Sequence, residues 1–199
     1  VRNLPAFSDF LQVAAHSDGE IPNYTNIATE TGVSVETVRS YYTILSDTLL
    51  GSYLNPYRKN SKRRTIAQKK YYFHDVGVVN ALAKRKNLEP GSDAYGKAFE
   101  NWIYHELLAY NEYKERFAEL FYWKLSNGHE VDFVVNHIDC AIECKSSEKI
   151  HNRHLKGLRS FVTDYPETKH KILVAADPIP RETDDGIRIL PYRTFIDEL

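Results

Sequence analysis

Three side chains late in the sequence have types that could do chemistry together: Asp132, Glu143 and Lys145. Asp132 lies in the run Glu130-Val131-Asp132-Phe133-Val134-Val135, and the other two lie in Cys140-Ala141-Ile142-Glu143-Cys144-Lys145. Strand residues alternate between faces, so Val131, Phe133 and Val135 share one side and Asp132 takes the other. Likewise Ile142 and the two cysteines point away from Glu143 and Lys145. Adjacent antiparallel strands can therefore gather Asp132, Glu143 and Lys145 on one face. Carboxylates brought together repel unless a cation offsets them, so this arrangement points to cation binding. The same residue types on neighbouring strands also make plain surface salt-bridge ladders.

These residues need elements to hold them. From Asp93 to Tyr113, Tyr95, Phe99, Trp102, Ile103, Leu107 and Tyr110 form one helical stripe. Glu106 falls near the middle of that stripe and Glu100 on its flank, costly positions unless the acid is paired, protonated or metal-bound. A strand follows at 120–125, and Ser126-Asn127-Gly128 is a strong hairpin signal leading into the strand at 130–135. After the turn at 136–139 comes the strand 140–145, then a helix over 147–165 with Ser146-Ser147 as its cap. A fully apolar strand at 172–176, a short strand at 187–190 and a final helix at 192–199 complete this half. His151 and His154 read as a solvated helix face. No phosphate loop of Walker type occurs in the 199 residues.

The front half has a different pattern. Phe7, Phe10, Leu11, Val13 and Ala14 recur at helical spacing. A short helix from Asn23 is stopped by Gly32, and a third, capped by Ser34, buries Val35, Val38, Tyr41, Tyr42, Ile44 and Leu45. Ala28, Gly32 and Val38 have the spacing of a helix-turn-helix. Two strands, 49–57 and 70–73, then flank a basic loop. It holds Arg58, Lys59, Lys62, Arg63, Arg64, Lys69 and Lys70, with no acid between Asp47 and Asp75. Together these elements predict a winged helix whose wing neutralises phosphates while the third helix enters a groove. Arg39 is that helix's only basic residue, so little base reading is expected.

Composition agrees with two modules. Residues 1–90 carry 12 Lys+Arg against 8 Asp+Glu, a net of +4, and residues 91–199 carry 14 against 19, a net of −5. The polar stretch 86–93, with its Pro90-Gly91 turn signal, is the seam, giving modules at 1–88 and 93–199. The fold class expected is α/β (α+β). Cys140 and Cys144 suggest neither a disulfide framework nor a zinc knuckle, and a reducing, cytoplasmic setting follows. No apolar run is long enough to span a membrane. The chain starts at Val1 and lacks Met, as a fragment of a longer product would.

The succession of helix, three-strand meander, helix and strand closely resembles the PD-(D/E)xK nuclease superfamily, a restriction-endonuclease-like αβββαβ fold. The residues carrying the resemblance are Gly96-Lys97-Ala98-Phe99-Glu100, Gly128-His129-Glu130-Val131-Asp132-Phe133 and Ile142-Glu143-Cys144-Lys145, with Val131 in place of the signature proline. The resemblance implies that Asp132 and Glu143 hold Mg²⁺ or Mn²⁺, helped by the backbone carbonyl of Cys144. Lys145 would orient the attacking water or stabilise the phosphorane, and Glu100, with Glu106 as the alternative, would add a helix-borne acid. From Val1-Arg2-Asn3-Leu4-Pro5-Ala6-Phe7 through Tyr72-Phe73-His74-Asp75-Val76-Gly77 to the nuclease-like motif, the whole is similar to the C-terminal half of a large prokaryotic family. Its members join a P-loop ATPase of the AAA superfamily to a C-terminal domain of unknown function. That implies DNA as partner and ATP used only by an upstream domain of the same polypeptide. No membrane contact is implied, and self-association stays open, as does a non-catalytic role in assembly.

Overall fold

The computed structural model describes residues 3–59 and 63–199. Its helices, and strands in both parallel and antiparallel pairings, make the chain α/β. Two compact units emerge: Val1–Leu54 with Lys69–Glu89, and Asn55–Gln68 with Pro90–Leu199.

In the first unit, α1 (Leu4–His16) starts where the Asn3 side chain accepts the Ala6 amide at 3.2 Å, with Pro5 in the first turn, where its missing N–H costs nothing. Helix α2 (Tyr24–Thr31) is capped by Asn23 and ends at Gly32, whose φ of +65° is the left-handed turn glycine permits. Helix α3 (Val35–Asp47) is capped by Ser34 Oγ, which accepts the Thr37 amide at 3.1 Å. Their apolar faces meet around Phe10, Val38, Tyr42 and Leu45, all essentially dry. Each such side chain contributes about 1.5–3 kcal/mol on burial. Strands β1 (Gly51–Pro56) and β2 (Lys70–Phe73) pair antiparallel from Gly51↔Phe73 to Leu54↔Lys70. Helix α4 (Val76–Leu82), capped by Asp75, goes unannounced by the sequence: three valines and Gly77 give it little helix propensity.

The segment between β1 and β2 does not stay with the first unit, so the expected 1–88 boundary must yield residues 55–68. Physical ties to the second unit explain this. Tyr57 is buried in its core, the Tyr57 amide donates to the Tyr122 carbonyl at 2.6 Å, and Ile66 N–H donates to Lys124 O at 2.8 Å.

The second unit is built on α5 (Asp93–Tyr113), β3 (Leu120–Lys124), β4 (Glu130–Val135), β5 (Cys140–Lys145), a 3₁₀ turn (Asn152–Leu155), α6 (Lys156–Asp164), β6 (His170–Ala175), β7 (Arg181–Glu182), β8 (Arg188–Pro191) and α7 (Tyr192–Glu198). Strands β3, β4 and β5 form an antiparallel meander. After the α6 crossover β6 lies parallel to β5, and β8 is parallel to β6 with β7 antiparallel at its edge. The last residues of β1 run parallel beside β3. Leu155, Leu158 and Phe161 from the α6 side pack on Trp123, Val134, Ala141 and Leu173. On the opposite face Tyr104 of α5 stacks on Phe133, ring centroids 5.9 Å apart. The helix after β5 begins later than expected: Ser147 Oγ donates to the Lys149 carbonyl in a local turn instead of capping a helix, and His151 precedes the first helical residue. Among the described residues no helix is long and apolar enough to cross a membrane.

Candidate active site

Strand pairing decides whether the three residues meet. Strands β4 and β5 are in register at Phe133↔Ile142, Val134↔Ala141 and Val135↔Cys140, and Asp132 and Glu143 are the next residues beyond the last of these pairs. Glu143 lies on the side covered by α6, and the Asp132 charge acts on it from the neighbouring strand. Both are buried, at 5% and 6% exposure. Asp132 Oδ2 accepts the Cys144 amide at 2.8 Å, which fixes that carboxylate against β5. Lys145 is two residues beyond Glu143, on the same face, and its Nζ lies 2.6 Å from Glu143 Oε1.

The two oxygens of Glu143 therefore differ. Oε1 is paired with Lys145, whereas Oε2 is buried with no hydrogen-bond partner. Burial, and secondly the Asp132 charge, push Glu143 well above the ordinary carboxylate range, and Lys145 only partly offsets them. Burial works against the Lys145 charge as well, but Asp132 and Glu143 outweigh it and raise its pKa. The Cys144 thiol is also pushed up, by burial first and then by Asp132, Glu100 and Glu143.

Glu100 thus stands within electrostatic reach of Cys144, on the α5 side of the sheet. Glu106 is half-buried six residues on, about 9 Å further along the helix axis, so the two cannot serve one point. Among the described residues no three His, Cys, Asp or Glu side chains are placed to hold a metal ion. The structure brings together Asp132, Glu143 and Lys145, and it does not draw Glu100 or Glu106 into one cluster with them. A hard cation such as Mg²⁺ needs only one or two carboxylates, because it keeps most of its waters. The neighbouring pair fits that requirement, and the orphaned Glu143 Oε2 is the kind of oxygen a cation satisfies.

Gly157 is a residue the sequence reading passed over. A Cβ at that position would land on the Glu130 carbonyl oxygen and 3.2 Å from Glu143 Oε2, so only glycine lets α6 close over the acids. A glycine inside an otherwise amphipathic helix was the available signal. His154 also borders the site: burial, Arg153 and Lys145 lower its pKa and favour the neutral ring.

The basic residues divide sharply. Arg39 is exposed on α3 with its guanidinium 4.3 Å from the Tyr24 ring centroid. Lys69 is exposed with Nζ 5.8 Å from the Tyr53 ring, and Arg58, Lys59 and Arg64 are exposed as well. Lys62 lies outside the described residues. Arg63 is not presented to solvent as a wing residue would be. Its Nε donates to Asp164 Oδ1 at 2.8 Å, Nη1 to Ser160 Oγ at 3.0 Å, and the group lies over the Trp123 ring. Lys70 is 4% exposed and points at the Tyr72 hydroxyl, 3.5 Å away. A strand with all four residues buried leaves no outward position for it.

Residues 95–195, just over half of the chain, match the family described as a domain of unknown function (DUF4143), and the chain belongs to that family. Residues 1–89 match a second domain of unknown function (DUF8612). No curated protein and no solved structure matches the chain.

Proposed function

We propose that the chain is a nucleic-acid-binding, nuclease-like module, a winged helix followed by a PD-(D/E)xK-type domain, that hydrolyses phosphodiester bonds in DNA with Mg²⁺ or Mn²⁺. One observation carries this reading: Asp132 and Glu143, neighbours on adjacent strands and both buried, with Lys145 on one Glu143 oxygen and the other oxygen orphaned. A bound divalent ion would polarise the scissile phosphate and supply hydroxide. Asp132 and Glu143 would hold that ion. Lys145 offers a fixed positive charge to the developing phosphorane or its attacking water, and α6, closing through Gly157, keeps bulk water from the acids. By its resemblance the chain serves an ATP-consuming domain of the same polypeptide, which would drive DNA past this site.

The test is nicking of supercoiled plasmid with Mn²⁺ by the purified chain, paired with calorimetric Mn²⁺ titration. Cleavage and a heat of binding that both vanish in Asp132→Ala, with cleavage alone lost in Lys145→Ala, support the assignment. Cleavage that survives Asp132→Ala removes it.

A second reading is favoured by one feature. Among the described residues no third acid joins Asp132 and Glu143 in a metal-holding group, and Lys145 is already paired with Glu143. A nuclease fold kept for protein assembly has that look, and it predicts neither Mn²⁺ heat nor cleavage.

A further inference from the structure

The aromatic core of the first unit continues outward to two cations. Tyr42 and Tyr71 are fully buried, with ring centroids 4.8 Å apart. Half-buried Tyr24 packs edge-on against Tyr42 at 5.7 Å, and Tyr53 against Tyr71 at 5.0 Å. The hydroxyls of Tyr24 and Tyr53 then meet at 3.1 Å, one donating to the other. Over Tyr24 lies the Arg39 guanidinium, and near Tyr53 the Lys69 ammonium. A helix and a strand far apart in sequence are joined at the surface by a phenol pair, and each phenol carries a cation.

A ring face holds a cation without using up its N–H groups, as a carboxylate would. Four arginines of the second unit show the contrast: Arg63, Arg159, Arg181 and Arg188 each contact a carboxylate at 2.7–2.8 Å. Among the described residues neither Arg39 nor Lys69 has a carboxylate ion pair. Nearby hydroxyls on α3 are spent internally, Ser40 donating to Glu36 O and Thr43 to Arg39 O. Little remains on that face to read bases, whereas two oriented cations remain for phosphates.

We infer that Arg39 and Lys69 form a two-point clamp for the sugar-phosphate backbone of DNA, and that Tyr24 and Tyr53 are positioning residues which set the clamp's spacing through their hydroxyl pair. This rests on the nucleic-acid part of the reading above and is independent of cleavage. The clamp binds without sequence preference, because phosphate contacts carry none.

The experiment is fluorescence anisotropy of a short labelled duplex DNA of mixed sequence, titrated with the full chain over a range of KCl concentrations. Arg39→Gln and Lys69→Gln should each weaken binding several-fold and lower the salt slope by about 1, one counterion per lost phosphate contact. Tyr24→Phe and Tyr53→Phe keep both rings and both cations, so they should weaken binding several-fold with the salt slope unchanged. A purely structural role for the tyrosines would move the melting temperature and leave affinity alone at temperatures well below it. If the wild type shows no salt-dependent DNA binding, the nucleic-acid reading and the clamp fall together. If it binds while Arg39→Gln and Lys69→Gln match the wild type in affinity and slope, the clamp alone is overturned.

Discussion

Gly157 and Glu143 form a lock that works by absence of a side chain: α6 comes so close to β4 and β5 that a methyl group on residue 157 would meet Glu130 O and Glu143 Oε2 together. By helix propensity alone, Gly157→Ala should stabilise α6 by ~1 kcal/mol. Steric overlap with backbone decides the sign the other way, and we expect a net loss of roughly 1–3 kcal/mol. Urea denaturation of the two proteins measures it. A more stable alanine variant would mean that α6 does not sit tightly over the acids.

Glu143→Gln isolates the cost of the buried charge. Because the Glu143 pKa is raised on folding, its contribution is most favourable at low pH and is lost as pH climbs from the ordinary value of 4.5 through the raised one. Metal-free wild type should therefore lose stability across that window, and Glu143→Gln should lose less. Adding Mn²⁺ at neutral pH should raise the melting temperature of the wild type and leave that of the variant unchanged. Parallel pH profiles for the two proteins would argue that Glu143 is already satisfied as an anion.

Arg63 and Arg64 are adjacent cations in one basic run, yet the structure gives them opposite duties. Removing Arg63 strips Asp164 of its partner, and the Asp164 carboxylate is 6% exposed with its Oδ2 already lacking a hydrogen bond. Arg63→Ala should cost about 2 kcal/mol, whereas Arg64→Ala, at an exposed side chain, should fall within about 0.5 kcal/mol. Chemical denaturation curves give both values. Equal small effects would show that the 55–68 segment is not pinned through Arg63.

Arg63 also marks where sequence reading stops. Alternation and helical period act locally, and they located α1, α3, α5 and the β3–β5 meander, as well as the shared side of Glu143 and Lys145. A charge run looks the same whether its side chains are solvated or folded onto a distant helix. Asp164 and Ser160 are about a hundred positions from Arg63, and no pattern in the run announces them. Helix α4 was hidden for another reason: Val76, Gly77, Val78 and Val79 favour other conformations, and the Asp75 cap with burial of Val79 overrides them. The nearness of Asp132 and Glu143 was legible because strand pairing is geometric. Whether a helix acid joins it depends on how α5 lies on the sheet, which tertiary packing sets.

Asp177 bears on the same site from the far side of the crossover. Its carboxylate accepts Arg181 Nη2 at 2.8 Å, the Ile179 amide at 3.1 Å and the Ile150 amide at 3.3 Å. Ile150 belongs to the loop that leaves Lys145 and leads to the helix covering Glu143, so Asp177 anchors that loop at its midpoint. The Arg181 hydrogen bond holds the Asp177 carboxyl below its usual range, against the opposing effect of burial, with the two amides assisting. A lowered carboxylate stabilises the fold above its ordinary value of 3.8, and that benefit fades as pH falls through the lower folded value. Asp177→Asn removes the charge and keeps one acceptor oxygen, enough for only one of the two amides, and should cost about 1 kcal/mol at neutral pH after allowance for the part-exposed Arg181. The gap from wild type should close as the buffer is taken below pH 3.8. A gap that stays constant through the acid range would assign the effect to packing, and the loop's anchor would then lie elsewhere.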